Sequence, residues 1–348
     1  MSEQSPNQTG VLLINLGTPD STAVSDVRRY LGEFLMDKHV LDVPWPLRKL
    51  IVSGFILPFR PKESAHAYSK IWSEEGSPLL VRSQALATRL ADHLAMPVAL
   101  SMRYGNPNIA DGLEALHAQG VQQVCIVPLY GQYAASTVAT SVEAAQQAMP
   151  EGMDDTVLPV FYDTRAHTQA WAETIRAHLP ERWDHLLFSY HGLPERHLTK
   201  ADPTGEHCLQ HPNCCDNPSV AHATCYRHQV MMTSKAIAAS LALKEDQFSV
   251  SFQSRLGRLP WLTPYTDQVL EEMPEQGIKD VVVCCPAFIV DNLETLEEMG
   301  MQGRETFLAA GGNSFTLVPC LNDSEVWVSG LADLCREHVL KEHPSDAA

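Results

Sequence analysis

The sequence predicts an α/β protein made of two similar domains, each with a four-stranded parallel sheet flanked by helices. Short apolar runs recur along the 348 residues and alternate with longer amphipathic segments. Eight such runs are too many for one simple sheet in a chain of this size. The helix predicted after Asp163 can connect two halves, so we predict domains at 8–163 and 164–342.

Each predicted strand is a run of four to eight mainly apolar residues. These strands are 11–15, 97–101, 121–128 and 156–161, followed by 185–189, 248–252, 281–285 and 315–318. The intervening segments have helical spacing of apolar residues. The predicted helices include 83–94, 109–119, 136–148, 166–179, 222–243 and 323–339.

Composition narrows the classes of function. A hydrophobic content of 45% supports two substantial cores. The net charge of −17, from 42 acidic and 25 basic residues, would repel a phosphate backbone, so no nucleic-acid partner is expected. The chain contains neither G-x-G-x-x-G nor G-x-x-x-x-G-K-[ST], so no nucleotide cofactor is expected either.

The apolar segments are too short to span a membrane. The longest, near 51–59 and 281–290, are well below the roughly 20 residues that a spanning helix needs. The first residues show no basic and apolar signal segment, so we expect a cytoplasmic protein. Segment 43–60 combines apolar and basic residues, which fits an exposed lip over an apolar ligand or peripheral contact with a membrane surface. The alternative is a core helix with solvated basic residues.

Four of the nine cysteines are close together, with the spacing C-x5-C-C-x9-C; they are Cys208, Cys214, Cys215 and Cys225. Thiolates select iron-sulfur clusters or zinc over hard cations. The odd number of cysteines and the expected reducing compartment argue against disulfides. Zinc sites usually pair two C-x2-C or C-x4-C knuckles, which this stretch lacks, so the pattern favours a cluster over structural zinc. The other five cysteines are predicted to be small buried hydrophobes: Cys125, Cys284, Cys285, Cys320 and Cys335.

His191 follows the predicted strand 185–189, and ligands of open parallel sheets bind beyond the carboxyl ends of the strands. A histidine there can act as a base or metal ligand, or be a hydrogen-bonded structural residue. Asp291, Glu294 and Glu298 are spaced i, i+3, i+7, which predicts three carboxylates on one helix face. A cation or shared protons would offset their repulsion. The alternative is a capping box formed by Asp291 and Glu294.

Six segments together resemble the ferrochelatases, and the resemblance covers nearly the whole chain. They are 11–19 (VLLINLGTP), 75–79 (EGSPL), 187–194 (LFSYHGLP), 252–258 (FQSRLGR), 261–267 (WLTPYTD) and 293–298 (LETLEE). The family implies a Rossmann-like, two-domain chelatase fold with the active-site cleft between the domains. It also implies a lyase that inserts Fe²⁺ into protoporphyrin IX, releasing two protons and forming protohaem, the terminal step of haem biosynthesis.

The resemblance also implies roles for individual residues. His191 matches the family's active-site histidine and Glu294 the acid facing it, so both are expected to contact the Fe²⁺ substrate, with Asp291 and Glu298 as supporting acids. Residues expected to line the porphyrin with apolar surface are Tyr104, Trp261 and Tyr265. Residues expected near its propionates, with ordinary surface or capping roles as the alternative, are Lys70, Arg103, Ser136 and Thr137.

The cysteine-rich insert, 205–226, resembles that of a bacterial subgroup of ferrochelatases that binds a [2Fe-2S] cluster. Its role as a structural staple or a sensor stays open, because metallation transfers no electrons. The chain departs from the family at 201–204 (ADPT), where Gly-Asp-x-Tyr is common, which predicts an altered turn before the insert. It also has Asn292 where many members have histidine, and an amide cannot relay protons as imidazole does.

Two alternatives to this function are open at the level of sequence. One is a related tetrapyrrole chelatase that inserts cobalt or nickel, or acts on coproporphyrin. The other is a carrier of haem or an iron-sulfur cluster that has the same fold but no turnover. The natural porphyrin, the oligomeric state and membrane association are not determined by the sequence.

Overall fold

Eight strands form two four-stranded parallel sheets in the computed structural model, which describes residues 8–255 and 259–342. The first sheet has the order β2-β1-β3-β4, from β1 (Gln8–Thr18), β2 (Val98–Gly105), β3 (Val121–Pro128) and β4 (Asp154–Val157). The second repeats this order as β6-β5-β7-β8, from β5 (His185–His191), β6 (Phe248–Gln253), β7 (Asp280–Cys284) and β8 (Ser314–Leu317). The predicted fold class is confirmed. Residues 256–258 of the predicted FQSRLGR segment lie outside the described residues.

Most strands differ in extent from the prediction; β2 and β5, for example, continue to Gly105 and His191, beyond the predicted ends at 101 and 189. β1 continues to Thr18, where it pairs with Gly105, so residues 16–18 also belong to the strand, beyond the predicted end at 15. β4 ends at Val157, opposite Ile126 of β3, whereas the predicted strand reached residue 161. Pro159 explains the early end, because proline has no N–H to donate to the sheet.

Twelve α-helices lie between and around the strands of the described residues. The first six are α1 (Val24–Leu35), α2 (Trp45–Leu50), α3 (Arg60–Ile71), α4 (Pro78–Leu94), α5 (Ile109–His117) and α6 (Thr140–Gln147). The others are α7 (Arg165–His178), α8 (Glu195–Ala201), α9 (Tyr226–Ser240), α10 (Thr266–Glu272), α11 (Arg304–Ala309) and α12 (Glu325–Glu342). Short 3₁₀ helices occur at Val220–Ala223 and Glu245–Gln247, so the predicted helix 222–243 is interrupted before α9 begins.

Three helical segments are π-helices: Ile51–Ile56, Ala135–Ala139 and Glu294–Gly303. Long π-helices are rare, and π-helical turns are frequent at functional sites. The segment Glu294–Gly303 is ten residues long and carries the predicted acidic residues. The spacing of the acidic residues predicted an ordinary helix here, because such spacing does not distinguish a π-helix from an α-helix.

The described chain separates into two units, each with one sheet and its own core. The first contains the described residues up to Leu129, together with Ala135–Pro159 and the residues from Asp323 onward. The second contains Tyr130–Ala134 and Val160–Asn322. The division predicted from sequence, 8–163 and 164–342, stays a prediction.

The C-terminal helix α12 belongs to the first unit because it packs against α4. Arg89 of α4 bonds the Asp323 carbonyl and the Glu325 carboxylate at the start of α12. Apolar central strands form each core: residues 11–14 of β1 and 186–188 of β5 are fully buried. All five cysteines outside the insert are buried, as predicted.

Segment 43–60 exposes several of its large apolar side chains, although Val52 is fully buried. Five are at least 46% exposed: Trp45, Leu47, Leu50, Phe55 and Phe59. Arg48, by contrast, is buried and donates to the carbonyls of residues 36, 41 and 43. The alternative of an ordinary core helix is therefore wrong for most of the segment. No helix in the described part of the chain is long and apolar enough to cross a membrane.

Candidate active site and cysteine-rich segment

The candidate active site lies at the carboxyl ends of β5 and β7 in the second sheet. These neighbouring strands connect to opposite sides of the sheet, β5 to β6 and β7 to β8. Loops at such a reversal of strand order form the usual ligand crevice of open α/β sheets. His191 is the last residue of β5, and the chain after β7 leads to the π-helix Glu294–Gly303.

The ring of His191 is held so that one nitrogen has a defined protonation state when the ring is neutral. Its Nδ1 lies 2.6 Å from the carbonyl oxygen of Gly192, and a carbonyl can only accept, so Nδ1 carries the hydrogen. Nε2 therefore carries the lone pair. Trp261 and Phe288 pack near the ring, with centroids 6.5 and 6.3 Å away. His191 can thus present a basic nitrogen beside aromatic surface.

Gly192 allows the close approach of β5 and β6 at this point. A Cβ on Gly192 would lie 2.9 Å from the carbonyl oxygen of Gln253. That carbonyl also accepts the Gly192 N–H at 2.7 Å. The glycine therefore fixes the backbone on which His191 sits.

Asn292 caps the π-helix that carries the acids. Its Oδ1 accepts the N–H groups of Glu294 and Thr295 at 2.9 and 3.1 Å, and its own N–H donates to the Thr295 hydroxyl at 3.0 Å. This is a reciprocal cap that satisfies backbone donors at the helix start. The capping box predicted from Asp291 and Glu294 is therefore replaced by one formed by Asn292 and Thr295.

Glu298 is a half-buried acid that interacts electrostatically with His191. Burial raises the pKa of Glu298, and the nearby Glu294 and Glu297 carboxylates raise it further. Two groups oppose this rise: the Ser254 hydroxyl, which donates to Oε2 at 2.6 Å, and the imidazole of His191. Glu294, Glu298 and His191 therefore form one electrostatically linked group.

The carboxylates of two neighbouring acids, Asp291 and Glu297, already accept hydrogen bonds within the protein. Asp291 precedes the π-helix and is buried; its carboxylate accepts the Cys320 N–H and the Asn322 amide at 2.9 and 2.8 Å. The prediction that Asp291 shares a helix face with Glu294 and Glu298 is therefore wrong. Glu297, which spacing did not select, is 3% exposed and accepts the Gln302 amide at 2.8 Å.

The two predicted porphyrin contacts of the second unit lie near the same loops. Trp261 is half-buried beside His191 and bridges to Pro194. Tyr265 is half-buried and lies under the guanidinium of Arg255, which is 4.2 Å from the ring centroid. Arg255 also pairs with Asp267 at 2.9 Å.

The predicted contacts of the first unit have varied surroundings. Arg103 and Tyr104 both donate to Asp37, at 2.6 and 2.8 Å, and Tyr104 is 1% exposed. A wall formed by Tyr104 would therefore need rearrangement of its surroundings. Lys70 is exposed on α3, and Ser136 and Thr137 are half-buried on the π-helix Ala135–Ala139.

The four clustered cysteines converge in the second unit. Cys208, Cys214 and Cys225 are buried and Cys215 is half-buried. The thiols of Cys215 and Cys208 donate to Cys225, which is at the N-terminus of α9, and lower the pKa of Cys225 to about 5. The same contacts raise the pKa of Cys208 and Cys215, burial being the larger cause for Cys208. Within residues 8–255 and 259–342, however, no three His, Cys, Asp or Glu side chains are arranged to hold one metal ion.

Polar side chains order the backbone of the insert. Asp202 accepts the N–H groups of Thr204, His207 and Cys208, so an Asx-type turn forms where the family sequence differs. His207 bonds the Cys214 carbonyl at 2.8 Å, and His228 bonds the Cys215 carbonyl at 2.9 Å. Sequence spacing did not identify these supporting residues. The number of polar residues close to the cysteines in the sequence could have indicated them.

Comparison with known sequences gives consistent matches. The family model described as ferrochelatase matches residues 8–339. A ferrochelatase of Stutzerimonas stutzeri is 51% identical over 333 residues, covering 94% of this chain and 97% of the relative. One from Pseudomonas entomophila is 50% identical over 330 residues, covering 93% and 98%.

Two solved structures support the fold alone. SirB from Bacillus subtilis with Fe³⁺ has a TM-score of 0.54 at 12% identity, covering 97% of this chain and 98% of that one. The sirohydrochlorin chelatase SirB from Bacillus subtilis subspecies spizizenii, in complex with cobalt, has a TM-score of 0.54 at 10% identity, covering 96% and 97%.

Proposed function

We propose that this chain, which belongs to the ferrochelatase family, is a lyase that inserts Fe²⁺ into protoporphyrin IX and forms protohaem, the terminal step of haem biosynthesis. Two protons leave the porphyrin in this reaction. The observation that carries the proposal is the placement of His191, Glu294 and Glu298 at one sheet end in a chain that matches the family over residues 8–339.

His191 is proposed to accept a pyrrole proton. The neutral ring offers the Nε2 lone pair, because Nδ1 donates to the Gly192 carbonyl. Protonation at Nε2 leaves that hydrogen bond intact, so the ring keeps its orientation while it carries the proton. The same lone pair is the atom that would contact Fe²⁺.

Glu294 and Glu298 are proposed to attract Fe²⁺ and to pass protons to solvent, and the supporting role of Asp291 is proposed to be positional. Clustered carboxylates favour a divalent cation electrostatically. The raised pKa of Glu298 lets this carboxyl take up a proton more readily than an exposed glutamate. Asp291 joins the start of the π-helix to the backbone at Cys320.

The porphyrin contacts remain proposals for each unit separately. Trp261 and Tyr265 offer aromatic surface in the second unit. Tyr104, Lys70, Arg103, Ser136 and Thr137 are the candidates in the first unit. Asp37 and Thr140 already accept from the guanidinium of Arg103.

The insert is proposed to bind a [2Fe-2S] cluster through Cys208, Cys214, Cys215 and Cys225. The donor chemistry fits, because Cys208 and Cys215 hydrogen-bond to Cys225 and interact electrostatically with Cys214, and soft sulfur ligands select iron-sulfur centres. Arg227, with Nη1 3.7 Å from the Cys214 sulfur, and the low pKa of Cys225 both favour thiolates. When bound, such a cluster supplies a cross-link between the two ends of the insert and a one-electron redox centre.

Peripheral contact with a membrane from the cytoplasmic side is proposed for segment 43–60. Its exposed Trp45, Phe55 and Phe59 lie close in sequence to the exposed basic residues Lys49 and Arg60. Aromatic and basic side chains together suit an interface with anionic lipid.

An insertion assay tests the proposed function. The intact chain, supplied with Fe²⁺ and protoporphyrin IX without oxygen, is expected to form many equivalents of haem per enzyme. The loss of porphyrin fluorescence measures this conversion. Binding of porphyrin with at most one equivalent of product would instead indicate a carrier.

A further inference from the structure

Two consecutive residues at the end of β6 contact two of the three acids of the π-helix, Glu294 and Glu298. The Gln253 side-chain amide donates to the Glu294 carbonyl oxygen at 3.1 Å. The Ser254 hydroxyl donates to Oε2 of Glu298 at 2.6 Å. A single point of the sheet therefore contacts the backbone of one acid and the carboxylate of the other.

Gln253 is itself tied to the neighbouring strands. It is 4% exposed, and its Oε1 accepts the Ser189 hydroxyl of β5 at 2.7 Å. The same oxygen accepts the thiol of Cys285, directly after β7, at 3.7 Å. Because Gln253 is held on both sides, its amide can fix the Glu294 backbone against the sheet.

Ser254 has a backbone conformation that is unusual for its type. Its φ is 65°, in the left-handed region that residues other than glycine seldom adopt. Such conformations persist where the surroundings hold them and are concentrated at functional sites. Here the turn presents the hydroxyl to a carboxylate that is largely buried.

We propose that Ser254 is a positioning residue that, with Gln253, fixes the carboxylate of Glu298 relative to Glu294 for capture of the cation. This inference rests on the proposed function. Glu298 has three side-chain torsions, and its hydrogen bond to Ser254 restricts them before the cation arrives. Binding of the cation then costs less side-chain entropy. Oε2 is held by Ser254, and Oε1 is assigned to the incoming Fe²⁺.

The test compares Ser254→Gly and Ser254→Ala with the intact enzyme. Both remove the hydroxyl, but glycine also suits the positive φ, so Ser254→Gly should fold at least as well. We expect kcat/KM for Fe²⁺ to fall about tenfold in both, with KM for porphyrin within about twofold. Ser249→Ala is the matched control, since Ser249 is on the same strand and bonds His185, away from the acids. It should change neither constant by more than about twofold.

A double substitution distinguishes an effect of Ser254 on the position of Glu298 from a general effect of Ser254 on the structure. On a Glu298→Gln background, Ser254→Gly should cost less than about twofold, because the group that Ser254 positions is already altered. Unchanged Fe²⁺ kinetics in Ser254→Gly, or an undiminished loss on the Glu298→Gln background, would overturn the inference while leaving the proposed function intact. Absence of turnover in the intact enzyme would overturn the proposed function itself.

Discussion

Asp291, Glu297 and Glu298 are chemically similar residues whose surroundings give them different properties. Asp291 accepts a backbone N–H and the Asn322 amide, and Glu297 accepts the Gln302 amide. Glu298 accepts the Ser254 hydroxyl and interacts electrostatically with the imidazole of His191. The sequence could mark this stretch as acidic, but the hydrogen-bond partners of Asp291 and Glu298 come from positions about 30 to 44 residues away in the chain.

His167 is an example of a histidine with no proposed role in the chemistry. It is fully buried on α7, and its Nε2 accepts the indole N–H of Trp171 at 3.1 Å. Burial lowers the pKa of His167 to about 3, from an ordinary value of 6.5. The folded chain therefore keeps this imidazole neutral at pH values where the unfolded chain binds a proton.

This difference predicts an acid-sensitive contribution to stability. The depressed pKa means that the contribution is complete above pH 6.5 and is lost as the pH falls toward 3, by about 1.4 kcal/mol per pH unit. His167→Gln keeps an acceptor for Trp171 but does not titrate. It should reduce the slope of the free energy of unfolding against pH between pH 6 and 5, which urea unfolding at these pH values measures. Equal slopes for both proteins would show that His167 does not titrate as described.

At the scale of elements, the sequence pattern predicted the positions of helices better than their type, α-helix or π-helix. The apolar pattern placed strands β5 and β7 correctly, and the spacing of the acidic residues predicted a helix carrying Glu294. It did not predict a π-helix, nor the cap by Asn292, because both depend on local hydrogen bonds rather than on apolar spacing. Asn292, which departs from the family pattern, thus has a clear structural use.

The cysteine-rich insert is the element whose chemistry is most directly measurable. Protein prepared without oxygen is expected to contain about two iron atoms and two acid-labile sulfides per chain, with visible absorption from sulfur-to-iron charge transfer. Cys214→Ser with Cys215→Ser should abolish both. Cys284→Ser is a matched control, because Cys284 is a buried thiol of β7 outside the insert.

The same double variant addresses the role of the insert. If the variant no longer folds, as measured by thermal unfolding, the insert is a structural staple. If the variant folds but no longer responds to oxidants, the insert is a sensor. Zinc in place of iron and sulfide in the intact protein would contradict the proposed cluster.

At the scale of the whole molecule, the repeated strand order explains why the fold was predictable. Both sheets place their first strand between the second and third, and these central strands are almost wholly buried. Continuous apolar runs are the expected pattern of strands covered on both faces. Short edge strands gave weaker patterns, as the displacement of β4 shows. Of the site, His191 and Glu294 were predictable from strand ends and family resemblance, whereas Ser254, Gln253 and Glu297 required the contacts themselves.

His191, the proposed acceptor of the pyrrole proton, is the residue on which the proposed reaction depends most. The decisive measurement is anaerobic insertion of Fe²⁺ into protoporphyrin IX by His191→Ala beside the intact enzyme, with porphyrin affinity measured in both. We expect the variant to bind porphyrin within a few-fold of the intact enzyme and to lose turnover by at least about 10²-fold, the usual effect of removing a general base. Turnover by His191→Ala at the rate of the intact enzyme would contradict the account.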